Sequence, residues 1–178
     1  TNLAIDHDDL RDLVARFKTL LAQHKLQRID ITCSIDCWGP QQEYVRWPLD
    51  LDHWQKNFEF LLENRWLYVN INQTISVLTI KTMPELLRRL HTWRQHRHIG
   101  HWFSEVDVEP DYLKPYILGG EVFTQDFAEI LSLMPRDSEE DTNAFQHMQG
   151  IYQHISSHDL HRDLAQDLYV YLNEKDRR

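Results

Sequence analysis

The sequence predicts an α/β fold, an incomplete parallel (β/α) barrel fragment with C-terminal helices, and three observations carry that expectation. Apolar periodicity alternates between helical and strand spacing up to Val106, in the order helix, strand, helix, strand, helix, strand. The segments between strands are long enough for right-handed crossovers, so the strands are expected to run parallel. Beyond Pro110 the spacing is helical only, which divides the chain into barrel strands over residues 1–110 and a helical extension over residues 111–178.

Asp6 is placed to cap a first helix in which Leu10, Leu13, Val14, Phe17, Leu20 and Leu21 recur on one face, leaving Arg11, Asp12, Arg16 and Lys18 to water. In the run from Ile29 to Asp36, Ile29, Ile31, Cys33 and Ile35 take one side while Asp30, Thr32, Ser34 and Asp36 take the other, a strand pattern. A loop rich in Gly, Pro and polar residues is expected from Cys37 to Pro48. Asp50 then starts a second helix that turns Leu51, Trp54, Phe58, Leu61 and Leu62 inward. Leu67, Val69 and Ile71 alternate with Tyr68, Asn70, Asn72 and Thr74 in a second strand. Pro84 suits the first turn of a third helix with Leu86, Leu87, Leu90 and Trp93 buried, and a weaker strand follows over residues 99–106. Three further helices are expected over residues 122–133, 141–155 and 160–172, covering the sheet or forming a small cap.

The 178 residues suffice for one domain, or one domain with a small appendage. Nineteen Lys and Arg against 28 Asp and Glu give a net charge of -9, a field that repels phosphate backbones and anionic lipid, so nucleic acid and membrane are not expected partners. No apolar run approaches the roughly 20 residues needed to span a bilayer, and a cytoplasmic location is expected. Cys33 and Cys37 are the only cysteines, too few for a disulfide framework. The opening Thr-Asn-Leu-Ala-Ile lacks a Met, which fits either removal of an initiator or a first residue inside an element.

Chemistry is expected where the strands turn a polar face. Thr32, Ser34 and Asp36 on one strand, beside Asn70, Asn72 and Thr74 on the next, would line a wet cleft; an antiparallel sheet with one side in water gives the same alternation. The carboxyl ends of parallel strands are where α/β enzymes bind ligands, which singles out Ser34, Asp36 and the loop after them. Asp36 can accept from a sugar's hydroxyls or cap a turn, and Arg46 offers a planar fork to a carboxylate or is a solvated charge. His96, His98, His101 and Glu105 lie close in sequence but lack zinc spacing, so no metal site is expected. Trp93, Trp102 and Phe103 read as core, and Glu139 and Glu140 as complements to a helix dipole.

Cys33-Ser34-Ile35-Asp36-Cys37-Trp38-Gly39-Pro40, followed by Glu43-Tyr44-Val45-Arg46, resembles the fourth strand and following loop of radical SAM enzymes. The likeness is strongest to twitch-domain-containing radical SAM proteins, which the segments Asn70-Ile71-Asn72-Gln73-Thr74 and Leu78-Thr79-Ile80-Lys81-Thr82-Met83-Pro84 of this sequence also resemble, over about residues 1 to 130. The resemblance implies a partial (β/α) barrel that binds S-adenosylmethionine beside a 4Fe-4S cluster and generates a 5'-deoxyadenosyl radical. It carries cofactor binding over to Ser34, Asp36, Arg46 and, more weakly, Asn72, and makes Thr1-Asn2-Leu3 the end of a third strand. The family's C-x3-C-x2-C triplet and its Gly-Gly-Glu-Pro segment are not in this sequence, since Cys33 and Cys37 lie on the wrong strand and Gly119-Gly120-Glu121 comes too late and is followed by Val122. The expectation is therefore a fragment of a longer enzyme, silent alone, to which neither S-adenosylmethionine nor the cluster binds stably, with a peptide or small molecule as the parent's unidentified substrate. The rival is a complete, non-catalytic α/β protein-interaction module.

Overall fold

Long crossovers between strands permit parallel pairing, and both strand pairs of the structure have it. A computed structural model describes residues 1–106 and 109–177. Three strands, β1 (Asp30–Ser34), β2 (Tyr68–Ile75) and β3 (Gly100–Glu105), lie side by side in chain order, with Cys33 opposite Ile71 and Ile71 opposite His101. The sheet is open: β2 is central, and β1 and β3 are its edges among the assigned strands. The chain is thus a mixed α/β protein.

The helices are α1 (His7–Ala22), α2 (Pro40–Val45), α3 (Leu51–Glu63), α4 (Met83–Arg94), α5 (Thr124–Leu133), α6 (Glu139–Ser156) and α7 (Arg162–Lys175). Asp6 caps α1 by accepting from the Asp8 and Asp9 amides, and Asp50 caps α3 through the His53 amide. Two expectations fail locally. Leu13 is exposed, because α1 rests on the core through Leu10 and Val14, with Phe17 and Leu21 packed partly buried along the same stripe. The segment from Cys37 to Pro48 is not all loop, since Pro40 sits in the first turn of α2, where its missing N–H costs nothing.

Strand alternation sends Cys33, Ile35, Val69, Ile71 and Ile75 into a single apolar core shared with the helices. Its aromatic heart is Trp54 stacked on Phe58 at 4.8 Å, with Phe58 also 4.8 Å from Trp93. Such pairs add about 0.5–1.5 kcal/mol each beyond the area they bury. The C-terminal helices enter the same core through Phe127, Ile130, Met148, Ile151 and Leu168. Arg94 fastens them: it donates to the Ile99 carbonyl just ahead of β3 and, at 2.7 Å, to Asp141 in the first turn of α6. Burial pushes the Asp141 carboxyl up, but the Ser138 hydroxyl and Arg94 outweigh it and hold the group below its ordinary value.

The outer edge of β1 is partly occupied. The Thr1 nitrogen donates to the Thr32 carbonyl at 2.8 Å, and the Ser34 amide donates to the Thr1 carbonyl at 2.7 Å. That pair of bonds is the unit of a parallel ladder, with Thr1 opposite Cys33. No helix among the described residues is long and apolar enough to cross a membrane.

Candidate functional site

The polar parity of the strands produces the face that the sequence anticipates. Register places Thr32, Asn70 and Gly100 in one row, and Ser34, Asn72 and Trp102 in the next. Among the described residues the side chains of Thr32, Ser34, Asn70, Asn72 and Thr74 make no hydrogen bond, although Asn70 is buried and the others half-buried. Gly100 leaves room for its neighbour: a Cβ on it would stand 2.4 Å from the Asn70 Oδ1, so the Asn70 side chain would have to shift. Trp102, expected in the core, is instead 48% exposed, because it shares parity with Asn72 and not with His101 and Phe103.

At the carboxyl end of β1 the chain turns through Asp36, which is nearly buried. Its carboxylate accepts from Arg46 Nε at 2.6 Å and Nη2 at 2.8 Å, and from the Thr74 amide at 2.9 Å. The bidentate pair raises the already high pKa of Arg46, burial opposing it. The four residues expected to bind a cofactor thus fall together on two adjacent strands and their loop, yet Asp36 and Arg46 face each other. Arg46 Nη1 makes no hydrogen bond among the described residues.

Two side chains that the sequence reading did not single out, Gln42 and Gln73, fix this turn, and His101, considered there only as a metal ligand, backs one of them. Gln42 Oε1, from α2, accepts the amides of Asp36 and Cys37 at 3.0 and 2.9 Å. Gln73 Nε2 donates to the Asp36 carbonyl at 2.5 Å, and Gln73 Oε1 lies 2.8 Å from His101 Nε2. His101 is wholly buried, and burial, helped by the charge of Arg94, lowers its pKa to about 3. It is neutral at physiological pH, with its proton on Nε2. A signal for Gln73 and His101 was present: each is polar at a position whose strand parity is apolar. Gln42 gave none.

The remaining candidates separate. His101 is in the core, while His98 is exposed and lies 3.3 Å from Glu140. Among the described residues no group of three or more His, Cys, Asp or Glu side chains is arranged to hold a metal ion. Cys33 and Cys37 are both buried, and burial pushes each thiol up to about 12. Comparison with protein-family models, curated proteins and solved structures finds no match to this chain.

Proposed function

We propose that this chain forms the later strands of a radical SAM partial barrel and contributes one wall of an S-adenosylmethionine site. The observation that carries the reading is the face of hydrophilic side chains, Ser34 in register with Asn72, half-buried on a parallel sheet whose opposite face packs into the core. Donors and acceptors held half-buried without partners suit a polar ligand such as a ribose or an amino-acid moiety. The ladder bonds at Thr1 favour a further parallel strand on that side of β1.

Within this reading the roles divide. Ser34 and Asn72 would touch the cofactor, Arg46 would offer Nη1 to its carboxylate, and Asp36 would orient Arg46 while remaining closed to a sugar hydroxyl. Cys33 and Cys37 do not fit a 4Fe-4S cluster: the family's cluster takes three thiolates, and these are only two thiols, both fully buried. Cluster ligation falls outside these residues, and no step of the chemistry is assigned to them.

The test begins with the reading frame that encodes Thr1. An upstream C-x3-C-x2-C triplet is expected, and the chain including it should bind S-adenosylmethionine after anaerobic iron-sulfur reconstitution, with Ser34→Ala and Asn72→Ala each weakening binding about tenfold. An upstream sequence with no such triplet, or variants that bind as the parent does, would leave the interaction module as the better account. Exposed Tyr68 and Trp102 on the same face would then be its anchors.

A further inference from the structure

Tyr44 in the last turn of α2 and Trp47 just after it lie against the last turns of α7, where Tyr171, Glu174 and Lys175 complete a cleft of about 480 Å³. Lys175 Nζ lies 4.6 Å from the centroid of the Tyr44 ring and 5.6 Å from that of Tyr171. Both distances are within the roughly 6 Å at which an aromatic face attracts a cation. The rings are held in place: the Tyr44 hydroxyl donates to Asp176 Oδ1 at 2.9 Å, and Tyr171 leans on Tyr112 with centroids 5.1 Å apart. Trp47 is 80% exposed, so its indole does not serve the core.

The Tyr44 and Tyr171 rings flank the Lys175 ammonium, which also donates to the Tyr171 hydroxyl at 3.4 Å, and Trp47 and Glu174 line the same cleft, so the cage these side chains form is occupied by the protein's own lysine. A primary ammonium on a flexible stem is strongly hydrated and gives up water at a cost. An alkylated ammonium spreads the same charge over methyl groups, sheds water more readily and presents an apolar surface to the rings. We infer that this cleft binds a methylated or quaternary ammonium ligand, which displaces the Lys175 head group from between Tyr44 and Tyr171. The inference is independent of the cofactor site proposed above, since it uses neither the sheet face nor Arg46.

Choline is the probe, titrated into the chain and followed by the indole N–H resonance of Trp47, assigned by its loss in Trp47→Phe. Saturable binding is expected, and the uncharged isostere 3,3-dimethylbutanol should bind at least about tenfold more weakly. Trp47→Ala should lose binding. Lys175→Ala, which empties the cage, should tighten it about tenfold. Absence of saturable binding, equal affinity for the neutral isostere, a Trp47→Ala chain that binds normally, or a Lys175→Ala chain with unchanged or weaker affinity would each overturn the inference.

Discussion

Asp36 gains three hydrogen bonds by giving up contact with water, and each donor is fixed by a different part of the chain: Arg46 at the end of α2 supplies two, and the Thr74 amide in β2 the third. Removing the cation leaves a carboxylate that is nearly buried and short of partners. Arg46→Met should therefore lower stability by about 2 to 3 kcal/mol in urea unfolding, while Asp36→Asn, which removes the more buried charge and leaves the part-exposed Arg46 to water, should cost less. His101 makes the stability of the fold depend on pH. Its pKa falls from 6.5 to about 3 on folding, so below pH 6.5 the unfolded chain takes up a proton that the folded chain refuses. The stability it contributes is complete above pH 6.5 and is lost as pH falls toward 3, with a limiting slope of about 1.4 kcal/mol per pH unit. Unfolding free energies measured between pH 7 and 4 should show this slope, and His101→Gln should flatten it. At this scale the sequence was half legible. Asp36 was placed at a strand end and Arg46 in the loop after it, but their mutual pairing depends on the turn through α2, which spacing does not encode.

Helices and strands were the most legible level, because each carries its own periodicity. The caps at Asp6 and Asp50, the Pro84 start of α4 and the alternation of β1 and β2 all follow from local residue chemistry. What escaped was determined by neighbours: α2 is too short for its periodicity to register, and Trp102 looks like a core residue until the register of β3 sets its side. Contacts between elements are likewise invisible in one dimension. Gly120 lies in a short 3-10 turn ahead of α5, and a Cβ there would stand 2.2 Å from the Ser156 Cα at the end of α6. Backbone cannot step aside as a side chain does, so Gly120→Ala should push the turn away from α6 and cost about 2 to 3 kcal/mol. Thermal unfolding of that variant, beside a Gly150→Ala control whose Cβ meets nothing within 4 Å, measures it.

For the whole molecule, the parallel order expected from crossover length is present, and the open sheet leaves the barrel reading to the proposal above. Protection should follow the sheet's order. Amides of Ile71 and Gln73 in the doubly paired β2 are expected to exchange slowest, with β1 and β3 faster by at least about tenfold; hydrogen exchange resolved by residue checks the ranking. Slowest exchange in an edge strand would contradict the topology. The Thr1 contact sets a rule for this flank of the protein. Any backbone laid along it in the same direction inherits the pleat, so its alternate residues, those level with Ile31 and Ile29, point toward the greasy interior. Those between them join Ser34 and Asn72 on the wet side, and one two-bond anchor thereby dictates which amino acids a neighbouring segment can carry and in what phase.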